Sequence, residues 1–561
     1  MKRACASAAV SLLVLLGPVV SGETSRPISA QDVVASATAA FLRFDDETAR
    51  ERLGGLTAQN GSRLMASALV GLTHLPHPFH GGTPAEGQAV LLSLGPSRDA
   101  RLTAATTPAD RWWLRLLEGA FGTEQGQPAW SELVQTAEAM GITGTVEART
   151  SLLLTARFLV SAPAVGPMAP QPGALARAMA GLEELLAIST TDVDARHYLI
   201  RLYMRQGEAV QARRHARLLL SQQSDPRITE SALMALTAGG DWAAASDAFR
   251  PSADGQGVAL SLPSSTRQLW HAYLLLQEGR MSEAESLLRP LWTIPVESAL
   301  PARVTQARAR ALWVIETRRW MDARLAPTQT GMEADVVAGE LLAAGMAGVR
   351  VGNQQQSIDA LARMALLVGD GDQALPVVTA ARPAPVTTRP GVNRPGVAPI
   401  PTSRPMRPGA TGTANVSDDP AVIRLGIQRR RAAVMAQQLE AVSLFADGRR
   451  DEAIVLARQS AAVADDLPSD GLWPVPVKPA HELVGDLLLD ARRPREAMTA
   501  YQDSLNRWPR RPLSLLGLYR AATMARDTEQ AAAARALLSV VWARGDRSWS
   551  DIAEVLGSVK R

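Results

Sequence analysis

The sequence predicts an all-α protein, a helical-repeat solenoid built from stacked helix pairs. Apolar residues recur at spacings of three and four over segments of helical length, which is the period of an amphipathic helix. Short breaks rich in Gly, Asp or Pro separate these segments, as helix ends require. The composition is 46% hydrophobic but only 4% aromatic, and its abundant Ala and Leu favour close helix packing. Strand-like alternation is scarce, with Gly87–Leu94 and Gly257–Leu262 as the two short candidates.

The first 22 residues have the three-part plan of a secretory signal peptide. Lys2 and Arg3 give a positive start, Ala8–Leu16 is a short apolar run, and small residues precede Glu23. This run is shorter than the roughly 20 residues that span a bilayer, so we expect cleavage rather than a membrane helix. The sequence therefore predicts that 1–22 is removed from an exported protein of the periplasm or the extracellular space, which does not span the membrane.

Removing the signal peptide also removes Cys5, the single cysteine. The mature chain then has no disulfide, no thiolate metal ligand and no cysteine nucleophile. The charges of the full chain are close to balanced, with 59 basic and 55 acidic residues. Since a nucleic-acid-binding protein needs clustered basic residues with stacking aromatics, we predict no nucleic-acid partner.

A segment rich in proline and arginine interrupts the helical pattern at 379–419. Arg-Pro-Gly-Val occurs at 389–392 and again at 394–397, and no aromatic or acidic residue occurs from Gln373 through Ser417. Proline removes helix hydrogen bonds and favours extended geometry in the residue before it. We predict a disordered linker, which serves either as a spacer or as a cationic tether for anionic cell-wall polymers or lipid headgroups.

One stretch after this linker has the residue pattern of a stacked antiparallel helix pair. Such a pair needs small residues where helices cross, large residues between them and a proline near the end of the second helix. The residues that meet these needs at matching separations are Gly485, Leu488, Ala497, Tyr501 and Pro509. The pattern resembles the tetratricopeptide repeat of about 34 residues. This resemblance implies a helical solenoid in which Ala497 faces Gly485, and it implies no shared chemistry.

The turn inside this unit departs from the family pattern. Arg492 stands where the repeat usually has glycine, so we expect the turn there to be less tight.

Three further units resemble the repeat more loosely. In each of them a glycine precedes an alanine by five residues, as the turn between two helices requires. The residues concerned are Tyr203, Gly207 and Ala212 in the first unit, Gly279 and Ala284 in the second, and Gly448 and Ala453 in the third. We predict a degenerate tetratricopeptide-like domain at 23–378 and a C-terminal tetratricopeptide domain at 420–561. Through Pro474–Leu483, Ser514–Ala522 and Trp542, the latter also resembles exported bacterial proteins of this family.

Solenoids of this kind bind partners on the inner face of each first helix. Glu482, Asp486 and Asp490 are spaced by four residues and share one helix face, as do Arg201 and Arg205 in the earlier unit. Each of these side chains is either part of a ligand face or of an ordinary solvated surface. The leading hypothesis is a non-catalytic scaffold of the bacterial cell envelope that binds a protein or peptide partner and needs no cofactor.

A histidine cluster supports the alternative of a metal-handling protein or an enzyme. His74, His77 and His80 are three of the seven histidines, and imidazole is a good ligand for zinc and copper. Pro76 and Pro78 exclude a shared helix face, so we favour a loop that joins two helices. A third alternative is a cell-wall-associated structural protein that uses the linker at 379–419.

Overall fold

The computed structural model describes residues 29–56, 63–77, 82–123, 128–140, 145–162, 169–222, 225–250, 260, 262–295, 298–323, 325–326, 331–369, 420–467 and 477–557. Within these ranges the chain forms 25 α-helices and one turn of 3-10 helix, without a β-strand. This confirms the all-α fold predicted from the sequence. The predicted signal peptide at 1–22 and the predicted linker at 379–419 lie outside the described residues.

Three of the N-terminal helices begin with a side chain, that of Ser29, Ser97 or Thr107, which accepts a hydrogen bond from an amide of the first turn. In chain order the N-terminal helices are α1 (Ala30–Leu42), α2 (Asp46–Gly54), α3 (Arg63–Leu72), α4 (Pro84–Ser93), α5 (Arg98–Ala104), α6 (Pro108–Phe121), α7 (Trp130–Met140), α8 (Thr145–Ser161) and α9 (Ala174–Ile188). α1 opens with a capping box between Ser29 and Asp32, because each side chain accepts a hydrogen bond from the other residue's amide. The possible strand at Gly87–Leu94 is wrong, since this stretch belongs to α4.

The helices that follow are mostly arranged as pairs with short connections. They are α10 (Val193–Arg205), α11 (Ala209–Leu220), α12 (Pro226–Ala238), α13 (Trp242–Ala248), α14 (Ser264–Gln277), α15 (Met281–Trp292), α16 (Leu300–Thr317), α17 (Ala334–Val351), α18 (Gln354–Gly369), α19 (Pro420–Ala446), α20 (Arg450–Asp465), α21 (Ala480–Asp490), α22 (Pro494–Arg507), α23 (Pro512–Ala525), α24 (Thr528–Val541) and α25 (Ser550–Leu556). The 3-10 turn is Trp320–Asp322, directly after α16.

The turn inside a helix pair recurs with one backbone geometry. Four glycines adopt a positive φ just after the first helix, at Gly207 (79°), Gly240 (69°), Gly279 (74°) and Gly448 (85°). At each of them, its own amide and that of the next residue donate to carbonyls of the preceding helix, as in a Schellman motif. Arg492 has the same conformation, with a φ of 62°, and the same two hydrogen bonds. The expectation of a looser turn at Arg492 is therefore wrong, because two backbone hydrogen bonds hold the arginine in a left-handed conformation.

Helices from before and after 370–419 pack against one another. α17 packs along both α18 and α19, and α19 packs along α20. A Cβ atom at Gly345 of α17 would lie 2.4 Å from Leu439 Cδ2 of α19 and 3.1 Å from Ala360 Cβ of α18. The pair α17/α18 therefore stacks on the pair α19/α20, and buried apolar residues of both regions form one core. Independent folding of the two predicted domains stays a prediction.

The C-terminal region contacts helices and turns from the middle of the chain. Trp242 Nε1 donates to the carbonyl of Arg510 at 3.0 Å, and the Asp546 amide donates to the carbonyl of Gly279 at 2.8 Å. A Cβ atom at Gly240 would lie 2.0 Å from the carbonyl oxygen of Pro509, so this approach needs a glycine. The described part of the solenoid thus closes on itself, because the loops after α22 and α24 contact the turns after α12 and α14.

Candidate functional site in the closed inner face

Glu482, the first residue of the predicted acidic stripe, lies at the centre of a buried polar cluster. Its side chain is 0% exposed and accepts hydrogen bonds from Arg511 Nε at 2.7 Å, Lys478 Nζ at 2.8 Å and Ser514 Oγ at 2.6 Å. Burial alone would raise the pKa of Glu482, but the charges of Arg511 and Lys478 hold it below its usual range. Glu482 is therefore an ionised group bound by its own chain rather than an open ligand contact.

The same cluster connects the C-terminal helices with α14 and α16. Arg511 Nη2 lies 2.8 Å from Glu316 Oε1, and Gln277 Nε2 donates to Glu316 Oε2 at 3.0 Å. Burial works against the charge of Arg511, yet Glu316 and Glu482 raise its pKa well above the ordinary value. We call the set Gln277, Glu316, Lys478, Glu482, Arg511 and Ser514 the central cluster. Its charges are balanced within the fold, as buried charges must be.

The other two acidic residues of the stripe differ in their access to solvent. Asp486 accepts from Lys478 Nζ at 2.6 Å and from Tyr501 Oη at 2.7 Å. The side chain of Asp490 is 45% exposed and lies 3.4 Å from Arg350 Nη2 of α17. Only Asp490 thus presents a largely open carboxylate, and it is at the rim of the closed face.

The tetratricopeptide-like spacing around Gly485 places one aromatic ring between two glycines. A Cβ atom at Gly485 would lie 2.7 Å from the ring of Tyr501, and one at Gly517 would lie 2.2 Å from it. The atoms nearest to a Cβ at Gly485 thus belong to Tyr501, whose ring reaches across from α22, and the facing of Ala497 and Gly485 stays a prediction. The carbonyl of Pro509 packs against Gly240. Of the other predicted packing residues, the turn glycines Gly207 and Gly448 are exposed. Those that are buried are Leu488, Ala497, Tyr203, Ala212, Gly279, Ala284 and Ala453.

A second buried cluster surrounds the turn between α1 and α2, which we call the Phe44 corner (Phe41–Asp46). Phe44 follows the C-cap of α1 with a φ of 60° and is buried. Its amide donates to the Phe41 carbonyl and the Asp45 amide donates to the Ala40 carbonyl, so this is another Schellman turn. Glycine is usual at this position, and a left-handed conformation costs another residue about 1–2 kcal/mol. Contacts of the ring must offset that cost.

Inner-face side chains of α8 and α10 bind the main chain of this corner. Arg157 donates to the carbonyl of Phe41 and, through Nη2, to Asp46 at 3.1 Å and 3.4 Å. The Tyr198 hydroxyl donates to the carbonyl of Leu42. Arg157 and Tyr198 are buried, so these bonds form away from water, where they are strong.

The predicted basic pair Arg201 and Arg205 also contacts the chain itself. Arg201 Nε donates to Ser231 Oγ at 3.0 Å, and burial lowers the pKa of Arg201 to about 10. Its guanidinium lies 5.6 Å from the centre of the Phe44 ring. Arg205 donates to the carbonyls of Leu159 and Val160.

The histidines of the predicted metal cluster have polar partners within the fold. His74 Nδ1 lies 2.5 Å from Thr83 Oγ1 and 3.1 Å from Glu86 Oε2, whereas His77 Nε2 lies 3.3 Å from Asp46 Oδ2. His80 lies outside the described residues. In the part of the chain that the structure describes, no group of three His, Cys, Asp or Glu side chains is placed to hold a metal ion.

His197, next to Tyr198 on α10, has an unusual environment. It is 1% exposed, and within the described structure neither of its ring nitrogens has a hydrogen-bond partner. Burial lowers the pKa of His197 well below its ordinary value, and the charges of Arg201 and Arg43 lower it further. A pocket of about 320 Å³ adjoins the corner and is lined by Ala39, Ala40, Arg43, Asp45, Arg52, Asp225, Pro226 and Arg227.

Sequence reasoning missed the residues that build these clusters. Arg511 and Lys478 precede helices and carry no spacing signal, and Phe44 resembles any apolar helix-end residue. The available signals were Lys478 as one of only three lysines and Phe44 where glycine is usual.

No protein-family model matches the sequence, and no curated protein is significantly similar to it. Among the helices that the structure describes, none is long and apolar enough to cross a membrane.

Proposed function

We propose that this chain is a non-catalytic scaffold of the tetratricopeptide type that binds protein or peptide segments in the bacterial cell envelope. The observation that carries the proposal is the chemistry of the inner face. Arg157, Tyr198 and Trp242 each donate a side-chain hydrogen bond to a main-chain carbonyl of a distant segment. Donors aimed at carbonyls are what recognition of a peptide backbone requires.

The envelope location rests on the plan of residues 1–22. Export should remove them, and the mass of the mature protein recovered from the producing cells should then begin at Glu23. Intact Met1 on protein from the exported fraction would contradict this location.

Capture followed by reconstitution tests the scaffold. The full-length mature chain is immobilised, envelope proteins are passed over it, and retained proteins are identified by mass spectrometry. We expect at least one of them, when purified, to form a complex of fixed stoichiometry with the purified chain. Failure of every retained protein to bind in pure form would contradict the scaffold proposal.

Metal analysis separates this proposal from the histidine alternative. Because His74 and His77 already have polar partners, we expect the purified chain to hold no stoichiometric zinc or copper. One tightly bound metal ion per chain, lost when His74, His77 and His80 are all replaced by alanine, would favour a metal-handling function instead.

A further inference from the structure

We propose that the inner face of α8 and α10 is a binding site for peptide segments in which an aromatic residue is directly followed by acidic residues. In this structure the Phe44 corner occupies that site as an intramolecular ligand. The inference rests on the proposed scaffold function and names the kind of segment recognised.

The contacts to the corner are those of a peptide site. Arg157 and Tyr198 bind two successive main-chain carbonyls, those of Phe41 and Leu42. Recognition of carbonyls depends little on sequence, so another segment of similar backbone could accept the same bonds. Both carbonyls belong to the last turn of α1, where the helix supplies no further amide donors and side chains can bind instead.

The pocket around the Phe44 ring selects an aromatic side chain. His77 and Tyr198 lie 5.3 Å and 5.9 Å from its centre, and the guanidinium of Arg157 lies 4.4 Å above it. A cation over a ring face is attracted by the ring's quadrupole, which an aliphatic side chain lacks. The left-handed backbone of Phe44 shows that the site holds an aromatic residue even where glycine would fit the turn better.

The two residues that follow Phe44 lie beside arginine side chains. Asp46 lies 3.1 Å from Arg157 Nη2, and Asp45 lies 3.3 Å from Arg227 Nη1. The site therefore fits a segment with the order aromatic, acidic, acidic.

Two features indicate that the corner leaves part of the site unused. His197 is buried beside the Phe44 ring, at a centroid distance of 6.1 Å, and both of its nitrogens lack a hydrogen-bond partner within the described residues. The adjoining pocket of about 320 Å³ is lined in part by Asp45 and Arg227, so it offers space beside the first acidic position. A segment with a polar group near the ring would make a bond to His197 that the corner does not make.

A peptide-binding experiment on the full chain tests the proposal. The variant Phe44→Ala/Asp46→Ala weakens the corner, and the probe is a fluorescein-labelled peptide with the sequence of residues 40–48. We expect the variant to bind this probe with an affinity at least about tenfold higher than that of the unmodified chain, measured by fluorescence anisotropy. A probe with alanine in place of its second phenylalanine should bind at least about tenfold more weakly. Adding Tyr198→Phe to the variant should also weaken binding, since one carbonyl loses its donor.

The outcomes are decisive in either direction. A variant with the circular dichroism of the unmodified chain that binds no probe at about 1 mM, or binds both probes equally, would overturn the proposal. If the double variant does not fold, Phe44→Leu keeps most of the apolar volume and the same comparison is made with it. The capture and reconstitution experiment tests the whole surface of the chain, whereas the peptide experiment tests this site alone. If the peptide binds but no captured protein forms a complex, the scaffold proposal is contradicted and the proposal for this site is not.

Discussion

Tyr501 shows how a single side chain can require glycine on two helices. Its ring lies between α21 and α23, where Gly485 and Gly517 leave the space it fills. Its hydroxyl donates to Asp486, which ties the packed ring to the edge of the central cluster. The two glycines are thus needed for close approach, although glycine is otherwise unfavourable inside a helix.

Replacing Gly517 by alanine tests this packing. The new Cβ would lie 2.2 Å from the Tyr501 ring, so we expect the free energy of unfolding to fall by about 1–3 kcal/mol. Urea denaturation followed by circular dichroism measures it. The matched control is Gly426→Ala, an exposed helix position with no atom within 4 Å, where the change should stabilise by up to about 1 kcal/mol. Equal effects at the two positions would contradict the role of Tyr501.

Replacing Arg492 by glycine should raise the free energy of unfolding, whereas the change at Gly517 should lower it. Arg492→Gly removes the strain of a φ of 62° and adds the backbone entropy of glycine to the unfolded chain. Because the side chain is exposed and the strain is about 1–2 kcal/mol, we expect net stabilisation of about 0.5 kcal/mol or more. Gly448→Ala, at the equivalent turn with no atom within 4 Å, should instead destabilise. Thermal unfolding of both variants checks the pair, and a lower Tm for Arg492→Gly would refute the argument.

His197 should make stability depend on pH. Since burial lowers its pKa in the folded state, the unfolded chain takes up a proton first as the pH falls through about 6.5, and stability is then lost. The loss is at most about 1.4 kcal/mol per pH unit. We expect His197→Leu to lose about 1 kcal/mol less than the unmodified chain between pH 7.5 and pH 5.5 in urea denaturation. His271, whose pKa burial lowers to about 4, contributes equally to both proteins.

At the scale of elements, the sequence predicted what depends on local pattern. Helical periodicity indicated the helices, and a glycine five residues before an alanine marked turns that are present in the structure. The short alternation at Gly87–Leu94 was misleading, because a stretch of this length is too short to distinguish the helical period from the strand period. The close approach of Tyr501 to Gly485 was not predicted, since a spacing gives the face of a helix but not the reach of a tyrosine ring.

The candidate sites were less predictable because they depend on contacts between residues far apart in the sequence. The acidic stripe at Glu482, Asp486 and Asp490 shares a face as expected, but the pattern contains no information about what covers it. Arg511 precedes α23 and Glu316 belongs to α16, so the cover depends on how distant parts of the solenoid pack. The Phe44 corner depends in the same way on contacts with α8 and α10, which are far away in sequence.

The central cluster should respond strongly to loss of one charge. Glu482→Gln leaves Arg511 and Lys478 buried with too little negative charge, and breaking a buried ion pair typically costs about 3–5 kcal/mol. We expect a loss of this size in urea denaturation. The matched control is Glu452→Gln, since Glu452 pairs with Arg449 on an exposed surface and its replacement should leave the midpoint unchanged. A midpoint equally unaffected in both variants would show that the cluster does not hold these helices together.

At the scale of the whole molecule, the chain on either side of 370–419 behaves as one stack in the structure. α17/α18 pack on α19/α20, the central cluster joins α14 and α16 to α21 and α23, and Trp242 binds the carbonyl of Arg510. Three separate contacts therefore connect regions that the sequence alone divides into two domains.

Cutting the chain within 379–419 tests this continuity. A protease site is inserted in this segment, the folded protein is cleaved, and the product is examined by size-exclusion chromatography. Because the described contacts between the two fragments are made by residues before 370 and after 419, we expect the fragments to elute together at the volume of the intact chain. They should separate in urea, which shows that cleavage was complete. Fragments that part under native conditions, each still helical by circular dichroism, would mean that the two regions are independent domains and that the stacking of α17 on α19 contributes little to stability.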